Sequence, residues 1–136
     1  MGNYGVKKAI EFCYGHRLLD YDGKCRNLHG HNAQLEIEVD SGGLDRLGMV
    51  IDFGEIKDIA KGWVDDHLDH KMLLHRDDPI AKVLQDFGEP LYLMDGNPTA
   101  ENITKLIFHT LSKLGLRVSR VSLWETPSGC ATYSED

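Results

Sequence analysis

The chain has 136 residues, a length that suits one domain with a single core and is too short for two. We therefore expect residues 1–136 to form one domain. The net charge of −7 argues against a nucleic-acid-binding protein, because phosphate recognition requires a basic face. The first residues, "MGNYGVKKAIEF", lack an apolar run as long as a signal peptide or a membrane span, and we expect a cytoplasmic protein.

The cysteines are few and widely separated. Cys13, Cys25 and Cys130 are an odd number, and no two of them form a CxxC pair. This arrangement argues against a disulfide framework and against a four-cysteine zinc site. We expect three reduced thiols.

The first part of the chain has the alternation of β-strands. Residues 5–14 alternate partially, and "LHGHNAQLEIEVD" alternates cleanly, with an apolar set of residues on one face. His29 and His31 share that apolar face. After turn residues, "MVIDF" is predicted to form a short third strand.

Helical spacing begins at Asp52, which is placed to cap a helix that runs to about His67. A charged connector with a short helix in "PIAKVLQDFG" follows. A second helix, in "NPTAENITKLIFHTLSKLG", is capped by Thr99 or Asn97. Two strands, "RVSRVSLWET" and "CATY", complete the chain. The order predicts an α+β fold, with two helices packed on one face of an antiparallel sheet.

The pattern HxH places two imidazoles side by side on one strand. A single histidine on an apolar strand face is more often a hydrogen-bonded core residue than a ligand. Two adjacent buried imidazoles are costly unless both are satisfied, and one Zn²⁺ satisfies both His29 and His31. His16, at the end of the preceding strand and near a hairpin partner, is the natural third ligand.

Cys25 has two possible roles, and its spacing from the histidines does not decide between them. As a fourth ligand it would close a structural zinc site, whereas as a free thiol it would leave three histidines and the open position of a catalytic zinc. Lys24, Arg26 and a nearby metal would favour the thiolate, which is the form that acts as a base or nucleophile. This setting favours the open site.

Two acidic residues are further candidates. Asp69, next to His70 in "LDHKMLL", would orient a proton-transfer group, or the two are an exposed acid and a histidine near a helix end. Glu125 shares the parity of apolar residues on its strand, where a carboxylate needs a partner. That partner is either Arg117 or Arg120, or a ligand such as a 2-amino-pyrimidinone edge, which donates two parallel hydrogen bonds.

An ordered set of fragments carries a family resemblance: "FCYGHRL", "GKCRNLHGHN", "GMVIDF", "LDHKML", "NPTAEN" and "WETPSGCATY". Together they resemble the 6-pyruvoyl-tetrahydropterin synthase / 6-carboxy-tetrahydropterin synthase family. The resemblance implies the tunnelling fold, in which protomers join their sheets into a barrel. It also implies a homo-hexamer, built as a dimer of trimers, with active sites at protomer interfaces.

The resemblance further implies a Zn²⁺ cofactor and 7,8-dihydroneopterin triphosphate as the substrate. The residues in the matching motifs take the family's roles. The implied zinc ligands are His16, His29 and His31. The implied catalytic residues are Cys25, Asp69 and His70, while Glu125 and Thr99 contact the pterin. The candidates for holding the triphosphate are Arg17, Lys24, Arg26 and Lys71.

The details favour one branch of the family. The short connection from His16 to Cys25 and the form "LHGH" are more similar to the bacterial carboxy-forming branch, which supplies queuosine and deazapurine synthesis. Tyr14, Gly15 and Ala100 depart from the family pattern, which has small residues before the first histidine and, in pyruvoyl-forming members, a second hydroxyl residue after Thr99. The pyruvoyl-forming reaction and a non-catalytic zinc or pterin-binding module are the alternatives.

Overall fold

The structure is a computed structural model, and it describes residues 2–135. Its centre is a six-stranded sheet with the spatial order β4-β3-β1-β2-β5-β6. The strands are β1 (Tyr4–His16), β2 (His29–Ser41), β3 (Lys71–His75), β4 (Leu91–Met94), β5 (Val118–Thr126) and β6 (Gly129–Ser134). The helices are α1 (Phe53–His67), α2 (Ile80–Asp86) and α3 (Ala100–Lys113).

The long hairpin of β1 and β2 forms the middle of the sheet. The two strands are antiparallel, and Ile10 lies opposite Leu35 while His16 lies opposite His29. Successive strand residues alternate between faces, so the apolar residues predicted from the sequence fall on one face and are buried there. The hairpin therefore fixes which residues meet at its two ends.

The hydrophobic core lies between this face and the helices α1 and α3. One cluster contains inward residues of β1, β2 and β5 together with buried residues of both helices. The predicted caps are present, because the side chain of Asp52 accepts a hydrogen bond from the N–H of Gly54 and that of Thr99 accepts one from the N–H of Asn102. Thr99 is therefore the residue that caps the start of α3. The helix ends shortly before Gly115, whose φ of +102° is in the left-handed region that favours glycine.

The connector between α1 and α3 contains more regular structure than the sequence predicted. It forms α2 as predicted, but it also adds the short strands β3 and β4, and β3 runs parallel to both β1 and β4. The predicted strand "MVIDF" is wrong: residues 50 and 51 form bends that lead into the cap of α1, and residues 49–52 belong to none of the six strands. The fold class is α+β as predicted, with a mixed sheet instead of an antiparallel one and three helices instead of two.

Within residues 2–135, no helix combines the length and the apolar character needed to cross a membrane. The cytoplasmic location stays a prediction from the sequence.

Candidate metal centre and active site

Three histidines meet at the open end of the β1–β2 hairpin. His16 is the last residue of β1 and faces His29, the first residue of β2, while His31 lies one same-face step further along β2. The ring centroids are separated by 4.5 Å between His16 and His29, 5.0 Å between His16 and His31, and 5.1 Å between His29 and His31. The structure thus brings together the three predicted ligands.

Backbone carbonyl groups orient two of the rings. The Nδ1 atom of His16 lies 2.7 Å from the carbonyl oxygen of Pro98, and Nδ1 of His29 lies 2.8 Å from that of Asn27. A carbonyl oxygen only accepts hydrogen bonds, so Nδ1 carries the proton in both rings. In a neutral ring the Nε2 atom then keeps its lone pair, which is the arrangement found in metal-ligating histidines.

The electrostatics of His16 favour the neutral ring. Its pKa is lowered, chiefly by burial, while the Pro98 carbonyl and the carboxylate of Glu125 act in the opposite direction. The nearby rings of His29 and His31 lower the pKa further. A neutral imidazole is the form that binds a metal ion.

The donor atoms lie close enough to share one cation. The Nε2 atoms of His16 and His31 are 3.2 Å apart, and one ligand atom from each of the three histidines lies within 4.8 Å of the others. Zinc bonds to imidazole nitrogen are about 2.1 Å long, so donor atoms at this spacing suit one shared ion. The three-imidazole donor set fits Zn²⁺, the metal that the resemblance implies.

A carboxylate borders this cluster. Oε2 of Glu125 lies 3.4 Å from Nε2 of His16 and 3.5 Å from Nε2 of His31, and it accepts a hydrogen bond of 2.5 Å from the hydroxyl of Tyr14. Burial and the bond to Glu125 raise the pKa of Tyr14 far above its usual value, so the phenol remains a donor. The alternative partner Arg120 lies instead against Glu38, at 3.7 Å.

Cys25 lies beside the histidines on a 3₁₀ turn, Lys24–Arg26, that a hydrogen bond of 2.8 Å from the N–H of Leu18 to the Cys25 carbonyl holds in place. The half-buried Cys25 lines a cavity of about 570 Å³. The same cavity is lined by the three histidines and by two other predicted site residues, Thr99 and Glu125. This cavity is the candidate active site.

Glu101 also lines this cavity, and it is not among the site residues predicted from the sequence. It is an exposed residue in the first turn of α3, two positions after Thr99. Its place in the fragment "NPTAEN" was the only signal in the sequence. An acidic side chain in the first turn of a helix is also common without a ligand, because it interacts favourably with the helix dipole.

Asp69 and His70 do not line the cavity of Cys25, although His70 lines another cavity together with His29 and His31. Oδ1 of Asp69 accepts a hydrogen bond of 2.9 Å from the N–H of Cys13, and Oδ2 lies 2.8 Å from Nδ1 of His70. Cys13 faces away from the core side of β1, and it lines a second cavity with Asp69 and His70 that Cys25 does not line. Within one chain the structure therefore forms the Asp69–His70 pair but places it outside the cavity of Cys25.

The Asp69–His70 pair is well fixed. Burial acts to raise the pKa of Asp69, but the hydrogen bonds from Cys13 and His70 outweigh it and lower the pKa. His70 has a φ of +60°, a left-handed conformation that is uncommon for this residue type, and its N–H donates to the Cys13 carbonyl at 2.7 Å. The predicted orienting role of Asp69 toward His70 thus has a geometric basis.

The predicted phosphate-binding residues differ in their surroundings. Arg17 forms a two-point pair with the buried Asp78, in which Nε lies 2.7 Å from Oδ2 and Nη2 contacts Oδ1. Lys24 and Arg26 are exposed on either side of Cys25. Since Asp78 already neutralises Arg17, the two residues on the 3₁₀ turn are better placed to receive an added anion.

The fold is α+β, with the helices α1 and α3 packed on one face of the sheet and a cluster of three histidines at one end of the β1–β2 hairpin. These features define a candidate metalloprotein of the tunnelling fold. The chain belongs to the 6-pyruvoyl tetrahydropterin synthase family, whose family model matches residues 5–136. This match covers nearly the whole sheet and all of the candidate site.

Similar proteins agree with this placement. A protein of Rickettsia felis named 6-carboxy-5,6,7,8-tetrahydropterin synthase is 44% identical over 128 residues, which cover 89% of this chain and 93% of the relative. A protein of Haemophilus influenzae with the same name is 36% identical, over 97% of this chain and 99% of the relative.

Solved structures support the fold. An uncharacterized protein of Wolinella succinogenes aligns over 100% of both chains with a TM-score of 0.85 and 24% identity. The 6-pyruvoyl tetrahydropterin synthase of Caenorhabditis elegans aligns over 100% of this chain and 98% of its own, with a TM-score of 0.75 and 23% identity. At these identities the likeness concerns the fold alone.

Proposed function

We propose that this protein is a zinc-dependent lyase that converts 7,8-dihydroneopterin triphosphate and water to 6-carboxy-5,6,7,8-tetrahydropterin, acetaldehyde and triphosphate. The observation that carries the proposal is the three-histidine cluster, in which one ligand atom of each ring lies within 4.8 Å of the others, in the cavity that Cys25 also lines. The names of the similar proteins of Rickettsia felis and Haemophilus influenzae support the choice of product.

The three histidines would hold the zinc and leave a coordination position open toward the cavity. When bound, the zinc would polarise the hydroxyl groups of the substrate side chain and acidify the adjacent positions. Cys25 would transfer protons at those positions as a general acid and base. Because its sulfur lies outside the set of three nitrogen donors in this proposal, the thiol stays available for proton transfer.

Glu125 and Thr99 would bind the pterin. A carboxylate accepts two hydrogen bonds from the adjacent NH and NH₂ groups of the pterin ring, and Oε2 of Glu125 keeps a second lone pair besides the one used by Tyr14. Thr99 lines the same cavity at the start of α3. Lys24 and Arg26 would hold the triphosphate, and Arg17 would do so only in exchange for its contacts with Asp78.

The catalytic pair Asp69–His70 would come from a second copy of the chain. In a single chain this pair lines a different cavity from Cys25. A homo-hexamer, arranged as a dimer of trimers, would complete each site at an interface. Mixing inactive Cys25→Ala and His70→Ala variants under conditions of subunit exchange should then restore activity, because some interfaces combine an intact cysteine with an intact pair. No recovery in verified mixed oligomers would contradict the shared site.

The alternative is the pyruvoyl-forming reaction, which eliminates triphosphate without releasing acetaldehyde. It is favoured by the family model, whose description is 6-pyruvoyl tetrahydropterin synthase. The two reactions give products of different mass. Incubation of the zinc-loaded protein with 7,8-dihydroneopterin triphosphate, followed by mass spectrometry, should give the 6-carboxy product; the 6-pyruvoyl product alone would contradict our proposal, and an unchanged substrate would indicate a binding module.

We place the reaction in the synthesis of queuosine and related deazapurines. This assignment rests on the resemblance to the carboxy-forming branch, and the names of the similar proteins support the choice of that branch. A strain that lacks this chain should lose queuosine from its transfer RNA and regain it when the gene is restored. Retention of queuosine would contradict the placement in that pathway.

A further inference from the structure

Tyr14 is a buried aromatic residue with one specific polar contact at the metal centre. Its side chain is 3% exposed, it stacks on Phe12 with ring centroids 5.3 Å apart, and it meets the ring of His16 edge to face at 5.2 Å. A buried tyrosine hydroxyl requires a hydrogen-bond partner. Here that partner is Oε2 of Glu125, at 2.5 Å.

The position of Glu125 depends on local irregularity in β5. The pairing of β5 with β6 shifts register between Trp124 and Thr126, so Glu125 occupies a bulge. Bulges are frequent beside active sites, where they redirect a side chain. The bulge lets the carboxylate turn toward the histidines, but it does not by itself fix the side chain, which is 25% exposed and has several rotamers.

The hydroxyl of Tyr14 supplies the missing constraint. The same oxygen that accepts its hydrogen bond also lies 3.4 Å from Nε2 of His16 and 3.5 Å from Nε2 of His31. Both nitrogens belong to the three-histidine cluster. The bond from Tyr14 therefore holds a carboxylate next to that cluster.

We propose that Tyr14 is a positioning residue, whose hydroxyl holds the Glu125 carboxylate beside the three-histidine centre, where its charge favours a bound cation. The inference rests on the proposed metal site, but it requires neither the proposed substrate nor the proposed product.

The test uses Tyr14→Phe, which removes only the hydroxyl. Tyr133→Phe is a matched control, because Tyr133 donates a hydrogen bond to Glu135 in another tyrosine–glutamate pair, which contacts His109 and does not line the cavity of the three-histidine centre. Each variant is loaded with Co²⁺ as a spectroscopic substitute for zinc, and metal affinity is measured by competition with a chelator. Far-UV circular dichroism verifies that each variant is folded.

Loss of the Tyr14 hydroxyl should weaken metal binding about tenfold, a typical effect of removing a group that orients a metal site. It should also change the visible Co²⁺ absorption, since the carboxylate is then free to leave the centre. Tyr133→Phe should change neither. An unaltered spectrum and affinity in folded Tyr14→Phe would overturn the proposal.

A double-mutant cycle tests whether Tyr14 acts through Glu125. The variants Tyr14→Phe, Glu125→Gln and their combination are compared in the same Co²⁺ assay. If the tyrosine acts through the carboxylate, the double variant should bind metal no more weakly than Glu125→Gln alone. Additive losses would overturn the proposal, since they would show that Tyr14 affects the metal centre by another route.

A second variant covers the case in which Tyr14→Phe does not fold. Glu125→Asp keeps the charge but shortens the side chain by one methylene group, so the carboxylate cannot reach both the Tyr14 hydroxyl and the histidines. Its Co²⁺ spectrum should differ from that of the unmodified protein. An unchanged spectrum in this variant would also overturn the proposal. These readouts need no pterin, so failure of the proposed reaction would not be mistaken for failure of this inference.

Discussion

The Nδ1 atom of His16 lies 2.7 Å from the carbonyl oxygen of Pro98, which is 82 residues away in the chain. This hydrogen bond joins the end of β1 to the segment that leads into α3, where Thr99 caps the helix. It sets the orientation of the imidazole and leaves Nε2 directed at the other two histidines. The segment that leads into α3 therefore orients the His16 ring of the candidate metal centre.

Zinc content tests the three-histidine site. The purified protein should contain about one zinc per chain, as expected for a site with three histidine ligands. His29→Ala and His31→Ala should each lose most of the metal, because each removes one of three donors. His109→Ala is the control, since His109 binds Glu135 at the surface. Full zinc occupancy in the first two variants would show that the cluster is not the metal site.

Pterin affinity tests the role of Glu125. Glu125→Gln replaces one acceptor oxygen by a donor, so pterin binding to the zinc-loaded protein should weaken by about 1–3 kcal/mol, the effect of losing a charged hydrogen-bond partner. Glu101→Gln is the matched variant, because Glu101 lines the same cavity. Isothermal titration calorimetry measures both. A loss confined to Glu101→Gln would move the anchor to Glu101.

The variant Cys25→Ala distinguishes a structural role of Cys25, as a zinc ligand, from a catalytic role in proton transfer. If the sulfur were a zinc ligand, the substitution would remove one of four bonds and reduce both metal affinity and stability. We expect the zinc to remain and turnover to fall by about 100- to 10,000-fold, the usual contribution of a positioned acid or base. Cys130→Ala, which alters another cysteine of the same cavity, is the control. A metal-depleted Cys25→Ala protein, or one with normal turnover, would disprove the catalytic role.

The ion pair of Arg17 and Asp78 should stabilise the fold near neutral pH. The hydrogen bond from Arg17 lowers the pKa of Asp78, and the opposing effect of burial is smaller. Asp78→Asn should therefore reduce the free energy of unfolding by about 1.5–3 kcal/mol, as for other hydrogen bonds to charged groups. Asp95→Asn is the control, because Asp95 is 95% exposed in its pair with Arg76 and should contribute little.

The loss of stability in Asp78→Asn should depend on pH, because the pKa of Asp78 is lowered in the folded protein. The native pKa of Asp78 is below the unfolded value of about 3.9, so the stabilisation is present above that value and is lost as the pH falls through the lower native pKa. Chemical denaturation at several pH values should show the gap between Asp78→Asn and the unmodified protein closing only in acid. A gap that is absent at neutral pH would contradict the structural role of the pair.

Local patterns predicted much of the sheet and both long helices. The alternation in β2 placed His29 and His31 on the buried face, and Asp52 marked the start of α1. The strands β3 and β4 were missed because they have five and four residues and pair in parallel with distant partners, as Tyr14 does with Lys71. Short parallel pairing leaves little periodic signal in the sequence.

In the candidate site, too, the sequence predicted local features better than contacts between distant residues. The HxH pattern identified two ligands and the hairpin suggested His16, because all three depend on local strand geometry. The contact between Tyr14 and Glu125 joins residues 111 positions apart and depends on a bulge in β5, which has no clear sequence signal. The separation of Asp69 and His70 from Cys25 likewise follows from chain topology.

The most direct test of the proposed function is the amount of acetaldehyde released for each triphosphate when the zinc-loaded protein acts on 7,8-dihydroneopterin triphosphate. Coupled assays measure both products, and Cys25→Ala provides the background. The carboxy-forming reaction predicts acetaldehyde and triphosphate in equal amounts, with both lost in the variant. Triphosphate without acetaldehyde would contradict the account and identify the pyruvoyl-forming reaction, and release of neither product would contradict catalysis on this substrate altogether.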